Sequence, residues 1–184
     1  MEATDSELAD CSRRGDVGSF ARLAARWDGK AYALAYRLTQ DTTSAEDIKQ
    51  TALLRAYERL GEFNGRAAFS TWLFRIVVNL CRDSHRSTAV REKALGGFPE
   101  VGRRGQSVAP RADAAWQRRE TAGRVAEAVR SLPAGIREVV VMRHCLALKF
   151  AEIAEILDAP VSTVKTRMAR GLTLLRDSLE DVQS

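Results

Sequence analysis

Between Ser162 and Arg176 the chain carries Lys165, Arg167, Arg170 and Arg176 and no acid. At about 100° per residue, Val164, Met168, Leu172 and Leu175 fall on one face of a helix. Ser162, Thr166, Ala169, Arg170 and Thr173 fall on the other, flanked by Lys165 and Arg167. Small side chains let a helix backbone approach base edges, and Lys and Arg reach phosphate or guanine. The chemistry on offer is therefore the reading of duplex DNA through the major groove. An ordinary helical hairpin with a solvated charged face is the alternative.

A second set, Trp72, Arg75, Asn79, Arg82 and Arg86, recurs at steps of three and four residues. Aromatics stack on exposed bases, an amide bonds their edges and guanidinium groups hold phosphate, so this set suits a single strand. A half-buried core tryptophan with solvated arginines fits the same spacing. A third set, Glu46, Asp47 and Gln50 with Arg55 and Arg59, has nothing beyond a solvated face to recommend it. Metal and nucleophile chemistry is not expected. Cys11, Cys81 and Cys145 are odd in number and far apart, and Cys81 with His85 supplies two ligands rather than four. Without clustered carboxylates or an activated nucleophile, neither an enzyme nor a cofactor is expected.

The elements that must position these residues are helical. Phe150, Ile153, Ala154 and Leu157 predict a short amphipathic helix, stopped by Pro160, with Ser162 capping the next; two helices joined so tightly cross steeply. Earlier in the chain, a frayed N-terminus precedes a helix from Val17 to Leu38. Ser44 with Asp47 resembles a capping box that opens a second helix, reaching about Leu60, with Ile48, Ala52, Ala56 and Leu60 inward. A third begins near Ser70 and buries Leu73, Ile76, Val77 and Leu80. Gly96, Gly97, Pro99, Gly102, Gly105 and Pro110 interrupt any period between Ser87 and Arg119. Strand-like alternation is absent, so the expected fold is all-α. Two small helical domains, 1–90 and 120–184, are joined by a flexible basic linker, 91–119.

Net charge is +5 and the pI about 9.4. Residues 1–90 carry 13 basic and 12 acidic groups, 91–119 carry 7 and 3, and 120–184 carry 9 and 9. Nucleic-acid affinity must then come from local stripes rather than bulk charge. With 45% hydrophobic residues, no apolar run of membrane-spanning length and a polar N-terminus, a cytoplasmic protein without membrane insertion is expected.

The segment Phe63-Asn-Gly-Arg-Ala-Ala-Phe-Ser-Thr-Trp-Leu-Phe-Arg-Ile-Val-Val-Asn79 and the preceding Ala45-Glu-Asp-Ile-Lys-Gln50 resemble region 2 of the extracytoplasmic-function (ECF) sigma factors, in the sigma-70 family of bacterial RNA polymerase. Leu132-Pro-Ala-Gly-Ile-Arg-Glu-Val139, Glu152-Ile-Ala-Glu-Ile-Leu157 and Pro160-Val-Ser-Thr-Val-Lys-Thr-Arg167 resemble region 4 of that family. A glycine common before the first helix of the helix-turn-helix is replaced within Leu146-Ala-Leu148. The resemblance implies an alternative sigma factor, with core RNA polymerase and promoter DNA as partners and an anti-sigma factor that restrains it. It implies that Glu46, Asp47 and Gln50 dock the polymerase. Phe63 and Asn79 would stand at the pocket for a base flipped from the minus-10 element, with Arg66, Trp72, Arg75 and Arg82 on the same melted strand. Ser162, Lys165, Thr166, Arg167 and Arg170 would read the minus-35 duplex.

Overall fold

The computed structural model describes residues 3–94 and 114–180, with side chains described for 3–87 and 123–180. Eight α-helices follow one another among the described residues: α1 (Asp5–Arg13), α2 (Val17–Thr39), α3 (Thr42–Glu58), α4 (Phe69–Ala94), α5 (Ala114–Ser131), α6 (Ala134–Cys145), α7 (Phe150–Leu157) and α8 (Val161–Glu180). A single 3-10 turn, Leu60–Glu62, leads toward α4. No strand occurs among these residues. The expected linker runs largely through residues 95–113, which lie outside the described residues, but α4 continues past Ser87 to Ala94 and α5 starts at Ala114.

The N-terminus is helical rather than frayed. Thr4 accepts from the Glu7 amide while the Glu7 carboxylate takes the Thr4 amide at 2.7 Å, a reciprocal cap that satisfies two helix-end donors. Leu8 and Ala9 then bury themselves. The signal was present as Thr4-Asp5-Ser6-Glu7, a Thr-x-x-Glu pattern.

Two further caps differ from expectation. Asp41, not Ser44, caps α3, its carboxylate accepting from the Ser44 amide at 2.7 Å. This bond holds the Asp41 carboxyl below its usual range, because only the ionised form accepts it fully. Ser162 likewise lies inside the first turn of α8, which opens at Val161; Pro160 stands before it and its carbonyl receives the Val164 amide. The turn between α7 and α8 begins before Pro160, where Asp158 adopts a left-handed conformation (φ 52°) and returns its amide to Ala154 and Glu155.

α1 to α4 pack around Leu23, Leu34, Phe69, Leu73 and Phe74, and α5 to α8 around Val139, Met142, Ile153 and Val164. The two bundles also touch, through α4 against α7 and α2 against α6. α4 buries Phe74, which meets Trp27 of α2 edge-on, together with Val78 and Cys81 in addition to Leu73 and Val77, whereas Ile76 and Leu80 remain only partly covered; Cys81 lies beside Glu138 of α6. A helix covered from two sides has a wider buried face than one stripe predicts.

Candidate nucleic-acid interface

The α7-turn-α8 unit is held from below. Val164 and Met168 are buried, and Gly171 lets α8 approach α6 so closely that a Cβ there would lie 2.7 Å from Val140 Cγ2 and 2.9 Å from Ile136 Cγ2. With that face committed to packing, Ser162, Lys165, Thr166 and Arg170 are exposed on the other side of α8. Arg167 is half-buried, its guanidinium passing beside Gly135 at the start of α6. Thr166 returns its hydroxyl to the Ser162 carbonyl at 3.0 Å.

Along α4 the structure separates residues of the second set. Trp72 is half-buried in a cluster with Phe63 and Phe69, at ring separations of 5.4 and 5.8 Å. Phe63 itself is only 5% exposed, and its carbonyl accepts from Arg13 Nη1 at 2.9 Å. Asn79 is exposed two turns further along α4 and does not border the cavity that Phe63 helps to line. That open cavity, about 260 Å3, is lined by Asp5 and Ser6 of α1, by Phe63 and Gly65–Ala68 of the loop, and by Phe69. Arg66 is exposed at its edge. Sequence reading missed the contribution of α1.

Arg75 and Arg82 point toward the other bundle. Arg82 makes a two-pronged pair with Glu138 of α6, and Arg75 Nη2 lies 3.5 Å from the exposed Asp158 carboxylate. Burial pushes the Arg137 guanidinium down from its ordinary value, yet its Nη1 still donates to the Leu38 carbonyl at 3.2 Å, near the negative C-terminal end of α2.

On α3, Asp47 and Gln50 are exposed, and Gln50 Nε2 donates to Glu46 at 2.9 Å. Glu46 also pairs with Lys49 at 2.7 Å, and these bonds lower the Glu46 carboxyl, Lys49 foremost. The same face continues into exposed Leu54 and Tyr57, which with Val17, Phe20, Ala21 and Leu53 line an apolar groove of about 290 Å3. Leu54 and Tyr57 lie off the Ile48-Ala52-Ala56 stripe, a signal the sequence did contain.

Residues 23–91 match the family model Sigma-70 region 2, and residues 122–175 match that of Sigma-70, region 4. The ECF RNA polymerase sigma factor SigW of Bacillus subtilis (strain 168) is 34% identical over 175 residues, 92% of this chain and 94% of that relative. The chain belongs to the ECF sigma factors. The ECF RNA polymerase sigma-E factor of Escherichia coli (strain K12) is 30% identical over 176 residues, covering 92% of this chain and 91% of its own. Among solved structures, CnrH in complex with the cytosolic domain of CnrY superposes with a TM-score of 0.71 at 29% identity, over 98% of this chain and 99% of that one. The sigma factor RpoE of Bartonella quintana, in complex with the anti-sigma factor NepR, shares the fold at 21% identity, with a TM-score of 0.73 over 89% of this chain and 98% of that one. As an alternative sigma factor, the chain directs promoter-specific transcription initiation with RNA polymerase. It carries both halves of the expected all-α architecture. Among the described residues no helix is long and apolar enough to cross a membrane.

Proposed function

We propose that this sigma factor divides promoter reading between its bundles, α8 taking the minus-35 element as duplex and α4 with its preceding loop taking the melted minus-10 strand. The observation that carries the reading is the exposure of Ser162, Lys165, Thr166 and Arg170 on α8, opposite buried Val164, Met168 and Gly171. Arg170 at the centre suits a two-pronged bond to guanine, Lys165 a phosphate, and half-buried Arg167 the edge of the groove. Glu46, Asp47 and Gln50 form the polar part of the polymerase-docking face, and Leu54 and Tyr57 its apolar part. A face mixing exposed large apolar groups with carboxylates suits a protein partner better than solvent.

Arg75 and Arg82 reach DNA only when α4 parts from α6 and α7, since both are paired across the bundles. An anti-sigma factor that holds the bundles together would then restrain the protein in the cytoplasm, and release would free both arginines for phosphate. The factor itself performs no catalysis. Run-off transcription by purified core polymerase on genomic fragments tests the reading: transcripts starting at defined sites only when the factor is added support it, and unchanged transcription with or without the factor overturns it.

A further inference from the structure

α1 precedes residues 23–91, the stretch that matches Sigma-70 region 2, and that match gives it no task. The structure fastens it at both ends. Near its start Asp5 accepts from Arg26 Nη1 at 2.6 Å and from Trp27 Nε1 at 2.8 Å, which seats α1 on α2. At its other end Arg13 reaches a residue 50 positions away: Nη1 donates to the Phe63 carbonyl at 2.9 Å, while Nη2 pairs with Asp10 one turn back on α1. Phe63 opens the loop into α4. Its ring packs on Phe69 and Trp72 at centroid separations of 5.7 and 5.4 Å. Ring contacts fix where the residue sits, but they do not set the plane of the peptide that follows. The Arg13 bond sets that plane, and with it the direction in which Asn64, Gly65 and Arg66 leave. A charged donor on a carbonyl makes a stronger bond than a neutral pair. Beyond this anchor the loop has a short bond of its own, Asn64 Oδ1 accepting from the Arg66 amide at 3.0 Å, and turns at Gly65 with φ +71°.

We propose that Arg13, with Asp10 behind it, is a positioning residue for promoter opening: it touches no DNA and holds the loop between Phe63 and Ala68 in its DNA-ready shape. The inference rests on the reading of α4 and its loop as the minus-10 face. A loop already ordered in the free protein need not be ordered when the strand arrives, so less of the binding free energy is lost. Direct contact with phosphate is the competing role for an arginine. Here the guanidinium is occupied by Phe63 and Asp10, and a phosphate would have to break one of these bonds. The two roles differ in salt dependence, because a phosphate contact releases a counterion and a bond within the protein does not.

The test uses holoenzyme reconstituted from core polymerase and the full chain. It is titrated with a fluorescent single-stranded minus-10 oligonucleotide and, separately, with a duplex carrying only the minus-35 element, each at two salt concentrations. Arg13→Met should weaken the single strand about tenfold, leave the minus-35 duplex within about twofold, and keep the wild-type salt slope. Arg13→Lys, which retains a charged donor, should recover most of the loss. Asp10→Asn, which loosens the guanidinium without removing it, should cost about threefold on the single strand alone. Unchanged single-strand affinity in Arg13→Met, an equal loss on the minus-35 duplex, or a salt slope lower by about one unit overturns the positioning role and leaves the minus-10 reading standing. A wild-type holoenzyme that does not distinguish the minus-10 strand from one of scrambled sequence overturns the minus-10 reading itself, and this inference with it.

Discussion

Arg82 of α4 donates from Nε and Nη2 to the two carboxylate oxygens of Glu138 in α6, at 2.8 and 2.7 Å, and so joins the region 2 bundle to the region 4 bundle. Glu138 is only 6% exposed, so little water can take the place of this partner. Arg82→Met should destabilise the protein by about 1–3 kcal/mol, the cost of a buried acceptor left unmet. Glu138→Gln removes the charge and weakens the grip on Arg82. Urea unfolding measures the first effect. Binding of the isolated protein to a single-stranded minus-10 oligonucleotide measures the second, and Glu138→Gln should strengthen it severalfold.

Cys81 lies at the same junction, and burial pushes its thiol up to about 12, with the negative charge of Glu138 adding to the effect. Its pKa is higher in the folded than in the unfolded state. Its contribution to stability is therefore complete below the unfolded value near 9.0 and is lost as pH rises from there toward 12. Thermal melts between pH 8 and 10.5 should fall more steeply for wild type than for Cys81→Ala. At neutral pH a maleimide should label exposed Cys145 at once and reach Cys81 only on unfolding.

Gly171 sits where α8 crosses α6, with Val140 and Ile136 methyl carbons at 2.7 and 2.9 Å from a Cβ built there. Alanine is worth about 1 kcal/mol more than glycine inside a helix. The neighbours are β-branched and stiff, so Gly171→Ala should nevertheless lose about 1–3 kcal/mol through overpacking. Denaturant melts decide the sign; a stabilised variant would mean that α6 and α8 yield easily.

Ala147 takes a left-handed conformation, φ 53°, in the turn that delivers α7. The turn is held by Leu148, whose amide bonds Met142 and whose carbonyl accepts from Arg143 Nη1 at 2.9 Å. A non-glycine residue in this region costs about 1–2 kcal/mol. Because glycine also gains freedom in the unfolded chain, Ala147→Gly should stabilise by only about 0.5–1 kcal/mol. Its melting temperature, compared with wild type, checks this.

Arg170→Ala should cost about 1–3 kcal/mol of promoter binding and relax preference at one minus-35 position, whereas Lys165→Ala should weaken all sequences alike and lower the salt slope by about one. Selection from randomised minus-35 sequences by holoenzyme at two salt concentrations separates the two effects. An Arg170→Ala profile identical to wild type would remove that residue from base reading.

The all-helical fold, the short turn between α7 and α8, and the polar basic face of α8 were legible because each is local. Val164 and Met168 stand one turn apart, so committing them to the core left Ser162, Lys165, Thr166 and Arg170 exposed wherever the rest of the chain went. The Thr4–Glu7 cap was equally local, though a polar N-terminus hid it.

What only tertiary structure decided involves pairs far apart in sequence. Nothing near Arg82 announces Glu138, 56 residues away, and nothing near Phe63 announces Arg13, 50 residues before it. The spacing of Trp72, Arg75, Asn79 and Arg82 placed them along α4. The loop before α4 brings Phe63 to Trp72, and α6 brings the Glu138 carboxylate to Arg82, while Asn79 stays exposed. Periodicity assigns a residue to a face of its own helix; which neighbour covers that face depends on loop closure and burial across the whole chain, which no local spacing encodes.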